Sequence, residues 1–365
     1  MNDSPLGMER GPNAALPWSI PIRVGVVGVG YWGPNLVRNL LDVDDVELVS
    51  VCDTERERLD VIRRRYPGVR RTTRYEDLLC DTSIEAIVIA TPVSTHFELG
   101  MAALRAGKHV FVEKPLAASA AEAAALIELA EKQNLLLMPG HTFLYSSSVN
   151  VIRDLIRSGE LGSIYFVSMS RVNLGLHQSD VSVTWDLGPH DFSILRYWLD
   201  ESPSYVAAMS RSCVIPGTPD VAFINLEFPS GTIGHVELAW LAPSKLRRTT
   251  IVGSEKMVVY DDTSSEPVRI YDSGAMLPDP ESFGEYALTY RTGDILVPRV
   301  DVVEPLYAEM ADFAACIRSR ETPRSSSELG LDVVCVSEAV DRSLAAGGTR
   351  VRVHGAPLVA VPDAS

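Results

Sequence analysis

The sequence predicts an α/β chain in two parts. An N-terminal, doubly wound parallel-sheet domain precedes an α+β domain with a large, mainly antiparallel open sheet. Three observations carry this. Strand-like and helix-like segments alternate through residues 21–141, the pattern of a parallel sheet covered on both faces. From Tyr205 onward, strand-like runs follow one another with only short turns between them. The third is a G-x-G-x-x-G placed between the first strand and the first helix, which marks the first part as a Rossmann dinucleotide-binding domain.

The valine-rich run Val24–Val27 reads as a buried strand, and the apolar positions Leu36, Val37, Leu40 and Leu41 have the spacing of a helix face. Between them Gly28 permits the turn, Gly30 lets the backbone approach a pyrophosphate, and Gly33 lets helix pack on strand. Pro34 suits the first helical turn, whose free N–H groups and dipole favour a diphosphate. Tyr31 and Trp32 stand beside this turn as candidate walls of the dinucleotide cleft. A second strand, Val46 to Cys52, ends at Asp53, where a carboxylate holds the ribose hydroxyls of NAD and repels the 2′-phosphate of NADP. Arg56 and Arg58 follow at once, and an arginine can bind that phosphate, but a helix face is the assignment made for both.

The charged segment Thr54 to Tyr66 reads as an exposed helix, Val69 to Thr73 as a short strand and Tyr75 to Leu79 as a short helix. Ala86–Ala90 is a fully apolar, parallel-type strand stopped by Thr91-Pro92, and Pro92 is placed in the cleft wall. A helix from Thr95 to Ala106 leads to the strand His109–Val112, which runs directly into Glu113-Lys114-Pro115. An alanine-rich helix, Ala118 to Gln133, precedes the apolar run Leu135 to Met138.

Beyond His141 a helix (Val149 to Ser158) and a strand (Ser163 to Val172) lead into a weakly patterned loop, Asn173 to Val183. After Trp185 to Asp191 comes the helix Phe192 to Leu199. The strand-like runs are then Val206–Val214, Val221–Phe228, Thr232–Trp240, Leu246–Val252, Lys256–Tyr260 and Val268–Tyr271. Pro229-Ser230-Gly231 reads as a hairpin turn. Gly274 to Val300 is expected to be irregular, two helices (Pro305 to Ser319, Ser327 to Leu344) close the domain, and Arg350 to Val353 adds a strand.

At 365 residues the chain exceeds a comfortable single core. The division expected is an arm at 1–20, a dinucleotide-binding domain at 21–141, a substrate-binding and oligomerisation domain at 142–348, and a tail at 349–365. A net charge of -15 argues against nucleic acid or an anionic membrane as partners. No apolar run reaches the roughly 18 residues of a membrane helix, and the first residues lack the apolar core of a signal peptide. Five cysteines without C-x-x-C or zinc spacing read as buried free thiols of a cytoplasmic protein.

Thr91-Pro92-Val93-Ser94-Thr95-His96, the run Ala106 to Pro115 with its Glu-Lys-Pro, and the Asp-x-x-x-His of Asp186 and His190 carry a family resemblance. Together with the glycine motif, they make residues 22–344 resemble the glucose–fructose oxidoreductase/inositol dehydrogenase/MocA family. The resemblance implies NAD-dependent hydride transfer at a sugar or cyclitol carbon, with Lys114, His190 and Asp186 as catalytic residues. It also implies that Glu113, Lys114, Thr91 and His96 lie near the cofactor.

At the carboxyl end of a parallel strand, the Lys114 ammonium can stabilise developing alkoxide charge. His190 suits proton exchange near neutral pH. The four-residue spacing puts Asp186 on the same helical face as His190, where it either orients the ring or contacts a substrate hydroxyl. His141 is a candidate contact for nicotinamide or substrate. Residues 30–35 and Arg171 to Gly175 resemble a branch that oxidises sugars and nucleotide-sugars, commonly at C3, with Asn173 binding a sugar hydroxyl. Lys245, Arg247 and Arg248 either meet a phosphate or form a solvated or oligomer-facing strand. Too few helices remain to cover the second face of the large sheet, so a homodimer or homotetramer through that sheet is expected. Two competing readings are a non-catalytic NAD-binding regulator and a metal enzyme using His141, Asp186 and His190. The retained Lys114 and His190 speak against the first, and the absence of tight ligand spacing speaks against the second.

Overall fold

The computed structural model describes residues 20–175, 181–276 and 289–353. All but the last residue of the expected arm, the tail beyond residue 353 and part of the loop after Asn173 lie outside the described residues. Six strands, β1 (Ile22–Val27), β2 (Val46–Cys52), β3 (Arg70–Thr72), β4 (Ala86–Ile89), β5 (His109–Glu113) and β6 (Leu137–Gly140), form a parallel sheet. Its order is β3-β2-β1-β4-β5-β6, so strand order reverses between β1 and β4. A ligand crevice opens at the carboxyl ends of the strands beside such a reversal.

The strands are continuous apolar runs because helices cover both faces. Val24, Val26, Ile87, Val88, Ile89, Val110, Phe111 and Val112 are all fully buried, each contributing about 1.5–3 kcal/mol by leaving water. Two glycines of the motif are enforced by geometry. Gly28 has φ +88°, and a methyl group there would lie 2.6 Å from the Ala90 carbonyl oxygen. At Gly33 a methyl would sit 2.2 Å from the Gly28 carbonyl oxygen, so only glycine lets the helix Gly33–Asp42 start this close to β1.

The second sheet has nine strands among the described residues: β7 (Ile164–Val172), β8 (Tyr205–Arg211), β9 (Val221–Glu227), β10 (Ile233–Ala239), β11 (Leu246–Gly253), β12 (Met257–Asp261), β13 (Val268–Met276), β14 (Thr289–Leu296) and β15 (Val351–Arg352). They run in the order β14-β13-β12-β11-β7-β10-β9-β8-β15, antiparallel except where β7 meets β10. The end of β13 and all of β14 lie in the stretch expected to be irregular. β14 is an edge strand with Tyr290, Ile295 and Leu296 exposed, so it needs no alternation of buried and polar residues to hold its place. Residues 229–231 do turn the chain between β9 and β10, with Gly231 N–H bonded to the Phe228 carbonyl oxygen at 3.0 Å.

Along β9 the side chains alternate: Ala222, Ile224 and Leu226 face inward, whereas Phe223, Asn225 and Glu227 face outward. Helices Gly188–Leu199 and Ser327–Ala345 lie on the inner side. The latter helix reaches both sheets. Its Glu338 accepts from Ala120 N at 2.8 Å, its Asp332 from Arg196 Nε at 2.7 Å and its Asp341 from Trp185 Nε1 at 2.7 Å. At Gly330 it presses so closely on the first sheet that a methyl would lie 2.8 Å from the Pro139 ring. All five cysteines are free thiols; Cys52, Cys316 and Cys335 are buried as expected, whereas Cys80 and Cys213 are exposed. Among the described residues no helix is long and apolar enough to cross a membrane.

Candidate active site

β5 delivers Lys114 one residue beyond its last hydrogen-bonded position. The Lys114 Nζ donates to the Asp186 carbonyl oxygen at 2.9 Å and to Asp186 Oδ1 at 3.3 Å, both groups being mostly buried. Asp186 Oδ2 accepts from the indole of Trp240, just beyond β10, at 3.1 Å. The expectation that Asp186 shares a helical face with His190 is corrected here. Asp186 ends the short helix Val183–Asp186, and His190 belongs to a second helix, Gly188–Leu199. The break at Leu187 turns the carboxylate to Lys114 and Trp240 instead of the imidazole. Asp186 therefore fixes the ammonium.

His190 lies in the first turn of its helix, its ring edge-on to Phe143 with centroids 4.9 Å apart. Its Nδ1 is buried without a partner. Burial, followed by the positive charges of Lys114 and Arg171, then His141 and Arg247, holds its pKa well below the usual imidazole value. The ring is neutral at physiological pH, the form that accepts a proton. Phe143 is flanked by the guanidinium of Arg171, 4.6 Å from its centroid, and that of Arg247, at 5.3 Å. Arg171 is buried and makes a two-pronged ion pair with Asp191 (Nε to Oδ1 2.9 Å, Nη2 to Oδ1 2.6 Å), which anchors the helix that carries His190.

Of the residues singled out in the sequence, Gly28, Gly30, Tyr31, Trp32, Asp53, Thr91, Pro92, Glu113, Lys114, Asn173, Asp186 and His190 line one cleft of about 1710 Å3. The dinucleotide test rests on Gly30 and Asp53. A methyl at Gly30 would meet nothing nearer than the Arg58 guanidinium at 3.7 Å, so its backbone stands open for a pyrophosphate. Asp53 Oδ2 accepts from Val29 N at 2.8 Å and Oδ1 from Glu55 N at 2.9 Å, which aims the carboxylate at the glycine turn. The residues present fit a dinucleotide.

Other placements differ from expectation. Gly33 packs behind the turn and is not on the cleft wall. His96 is buried, with Nδ1 and Nε2 each 2.9 Å from a carbonyl oxygen, of Pro115 and Thr91 respectively. Burial holds its pKa below the usual imidazole value, so the neutral ring donates its single N–H to one of the two, and it lies away from the cleft lining. His141 is fully enclosed behind Gly140 and Thr142, its pKa pushed down to about 3 by burial, and then by Lys114; it does not reach the cleft. Arg58 keeps the expected exposed helix face, yet its guanidinium lies 3.5 Å from Asp53 Oδ1 and joins the cleft, whereas Arg56 stays outside it. Of Lys245, Arg247 and Arg248, only Arg247 reaches the cleft, because alternation along β11 turns Arg248 to the other face.

Sequence reasoning missed Trp240, Phe143 and Glu309. Glu309 is buried beneath the site, where it accepts from Thr142 Oγ1 at 2.7 Å. Burial, with Glu113 nearby, raises its pKa well above the carboxylate range. Burial likewise pushes Glu113 up to about 7, against the pull of Lys114. A lone glutamate inside an apolar helix face was the available signal.

Residues 22–141 match the GFO/IDH/MocA oxidoreductase family with its NAD-binding Rossmann fold, and residues 149–259 match the GFO/IDH/MocA C-terminal domain. Myo-inositol 2-dehydrogenase of Thermotoga maritima is 24% identical over 88% of this chain and 96% of its own. The dTDP-3,4-didehydro-2,6-dideoxy-alpha-D-glucose 3-reductase of Saccharopolyspora spinosa is 27% identical over 59% of this chain and 68% of its own. The solved UDP-N-acetylglucosamine 3-dehydrogenase of Acidithiobacillus ferrooxidans shares the fold with a TM-score of 0.77, at 22% identity over 91% of this chain and all of its own.

Proposed function

Because the chain belongs to the glucose–fructose oxidoreductase/inositol dehydrogenase/MocA oxidoreductases, we propose that it moves a hydride between nicotinamide and a secondary alcohol or ketone carbon of a sugar, nucleotide-sugar or cyclitol, at C3 in the sugars. The observation that carries this is the convergence of Lys114 and His190 on the cleft that begins at the glycine turn. A bound dinucleotide supplies the hydride acceptor or donor. The chain supplies the rest. Lys114, held by Asp186, donates a hydrogen bond to the reacting oxygen and stabilises negative charge on it. His190 is neutral, and with Nδ1 enclosed its Nε2 takes the hydroxyl proton during oxidation and returns it during reduction. Asn173, on the same cleft, offers an amide to a neighbouring hydroxyl. An absorbance screen for reduced nicotinamide across sugars, nucleotide-sugars and cyclitols tests the reading. Tight NAD binding with no turnover of any of them would favour the regulatory alternative.

NAD is the preferred dinucleotide in this reading, since Asp53 faces the ribose position with a negative charge. Asp53→Asn should weaken NAD by about 10-fold or more, the worth of a charge-assisted hydrogen bond, and narrow the gap to NADP as Arg58 loses its competing carboxylate. Calorimetric titration with both dinucleotides checks this; an unchanged ratio would mean that Asp53 does not read the ribose.

In the same reading the chain assembles through the outer face of the second sheet, which carries exposed apolar side chains among the described residues. Phe166, Phe223, Ile233 and Met209 are exposed on that side. A surface of this kind supports a homodimer or homotetramer built sheet to sheet. Light scattering at micromolar concentration should give a multiple of 39.8 kDa, and a stable monomer mass would refute the arrangement.

A further inference from the structure

We propose that Arg247 makes the substrate end of the cleft selective for a sugar with an oxyanion, a carboxylate or phosphoryl group, attached to the ring that is oxidised. This rests on the hydride-transfer reading above. The argument begins with strand register. β7 and β11 are antiparallel neighbours, and Arg171 stands directly opposite Arg247. Like charges placed opposite one another on a sheet are unfavourable, so the pair needs compensation. Arg171 has it: both Asp191 oxygens bond it, and it is almost wholly buried. Arg247 has less. Asp262 takes one bond, from Nη1 at 3.1 Å, although a guanidinium carries five N–H donors.

The two arginines also differ in access. Arg247 is about one-third exposed and lines the cleft with His190, Phe143 and Asn173. Arg171 sits behind Phe143, and its Nη1 is buried without a partner. Three cations, Lys114, Arg171 and Arg247, thus surround one neutral imidazole in a chain whose net charge is -15. Each has a carboxylate partner, Asp186, Asp191 and Asp262 in turn, so what the site offers an anion is the N–H donors of Arg247 that Asp262 leaves free on the cleft wall.

Distance then fixes where the anion belongs. The Phe143 ring centre is 4.9 Å from the His190 ring centre and 5.3 Å from the Arg247 guanidinium carbon. One substituted sugar ring can therefore touch both groups. This favours an oxyanion carried by the reacting ring or joined directly to it. A charge at the far end of a nucleotide would not meet Arg247. Charge-assisted, two-pronged contact is what a guanidinium offers a carboxylate or phosphoryl group.

The test compares glucose, glucuronate, glucose 1-phosphate and glucose 6-phosphate in the wild-type enzyme, Arg247→Gln and Arg247→Lys. Wild type should prefer at least one anionic sugar, and which one it is separates carboxylate from phosphoryl recognition. In Arg247→Gln the anionic-to-neutral ratio of kcat/KM should fall about 10- to 100-fold, through KM. Arg247→Lys should recover part of it. Absence of any anion preference in wild type, or an equal loss with glucose in Arg247→Gln, would overturn the proposal and leave hydride transfer standing. If NADH binds but no sugar reacts, it is the hydride-transfer reading that fails. Calorimetric binding of glucuronate and glucose 1-phosphate to the enzyme–NADH complex then decides alone. Binding that depends on Arg247 supports the subsite, and binding that does not depend on it, or no binding, refutes it.

Discussion

Replacing His190 with asparagine should slow turnover of the true substrate by about 10²–10⁴-fold, the usual worth of a positioned acid–base group, with little change in NAD affinity. Asparagine keeps a polar side chain of similar reach and removes the proton acceptor. The pH profile gives the prediction its sign. Oxidation requires the neutral ring, so the wild-type rate rises with pH as His190 loses its proton and is flat above that point. Because burial and the surrounding cations depress the pKa, the rising limb should lie well below pH 6.5 in the free enzyme. His190→Asn should lack the limb altogether. A variant that oxidises substrate at the wild-type rate with an unchanged profile would place the proton elsewhere.

The second large effect belongs to Lys114. Lys114→Met keeps the aliphatic stem and should cost about 10²–10³-fold in kcat, the loss expected for one preorganised oxyanion donor. It leaves the Asp186 carboxylate with only the Trp240 indole, so thermal unfolding should be measured beside the kinetics. Asp186→Asn should fall between Lys114→Met and wild type, because the Asp186 carbonyl oxygen still holds the ammonium. Equal rates for Asp186→Asn and Lys114→Met would show that the carboxylate does more than hold the lysine. An unaltered kcat in Lys114→Met would remove Lys114 from the chemistry.

Local pattern made most of this architecture legible. A fully buried parallel strand must be apolar on both faces, so Ala86–Ile89 announces itself in four residues. The glycine positions are equally local, because Gly28 and Gly33 are constrained by atoms within a few residues or one strand away. β14 was hidden for the converse reason: an exposed edge strand has little burial to impose a pattern. The site was legible where a residue sits at a strand end, as Lys114 does, and obscure where partners are remote. Asp186 and Trp240 lie 54 positions apart and meet only once the helix Val183–Asp186 packs against β10. Four-residue spacing misled at Asp186 because it assumes an unbroken helix. His141 and His96 look like ligands in sequence, but both rings are buried away from the cleft lining. Arg58 keeps its exposed helix face and still lines the cleft, because the buried carboxylate of Asp53 lies within its reach.

The helix Ser327–Ala345 has a consequence for how this chain can be cut or recombined. The two sheets look like interchangeable modules, yet the last long helix is fastened to both, through Glu338 on one side and Asp332 and Asp341 on the other. A fragment ending at residue 141 would expose Leu116 and Pro139 where Gly330 now presses. It would also strip the apolar cover that Val334 gives the first sheet. A chimera that borrows its first half from a relative would have to match a surface encoded nearly two hundred residues downstream. The unit of inheritance is the whole chain, clasped at its end.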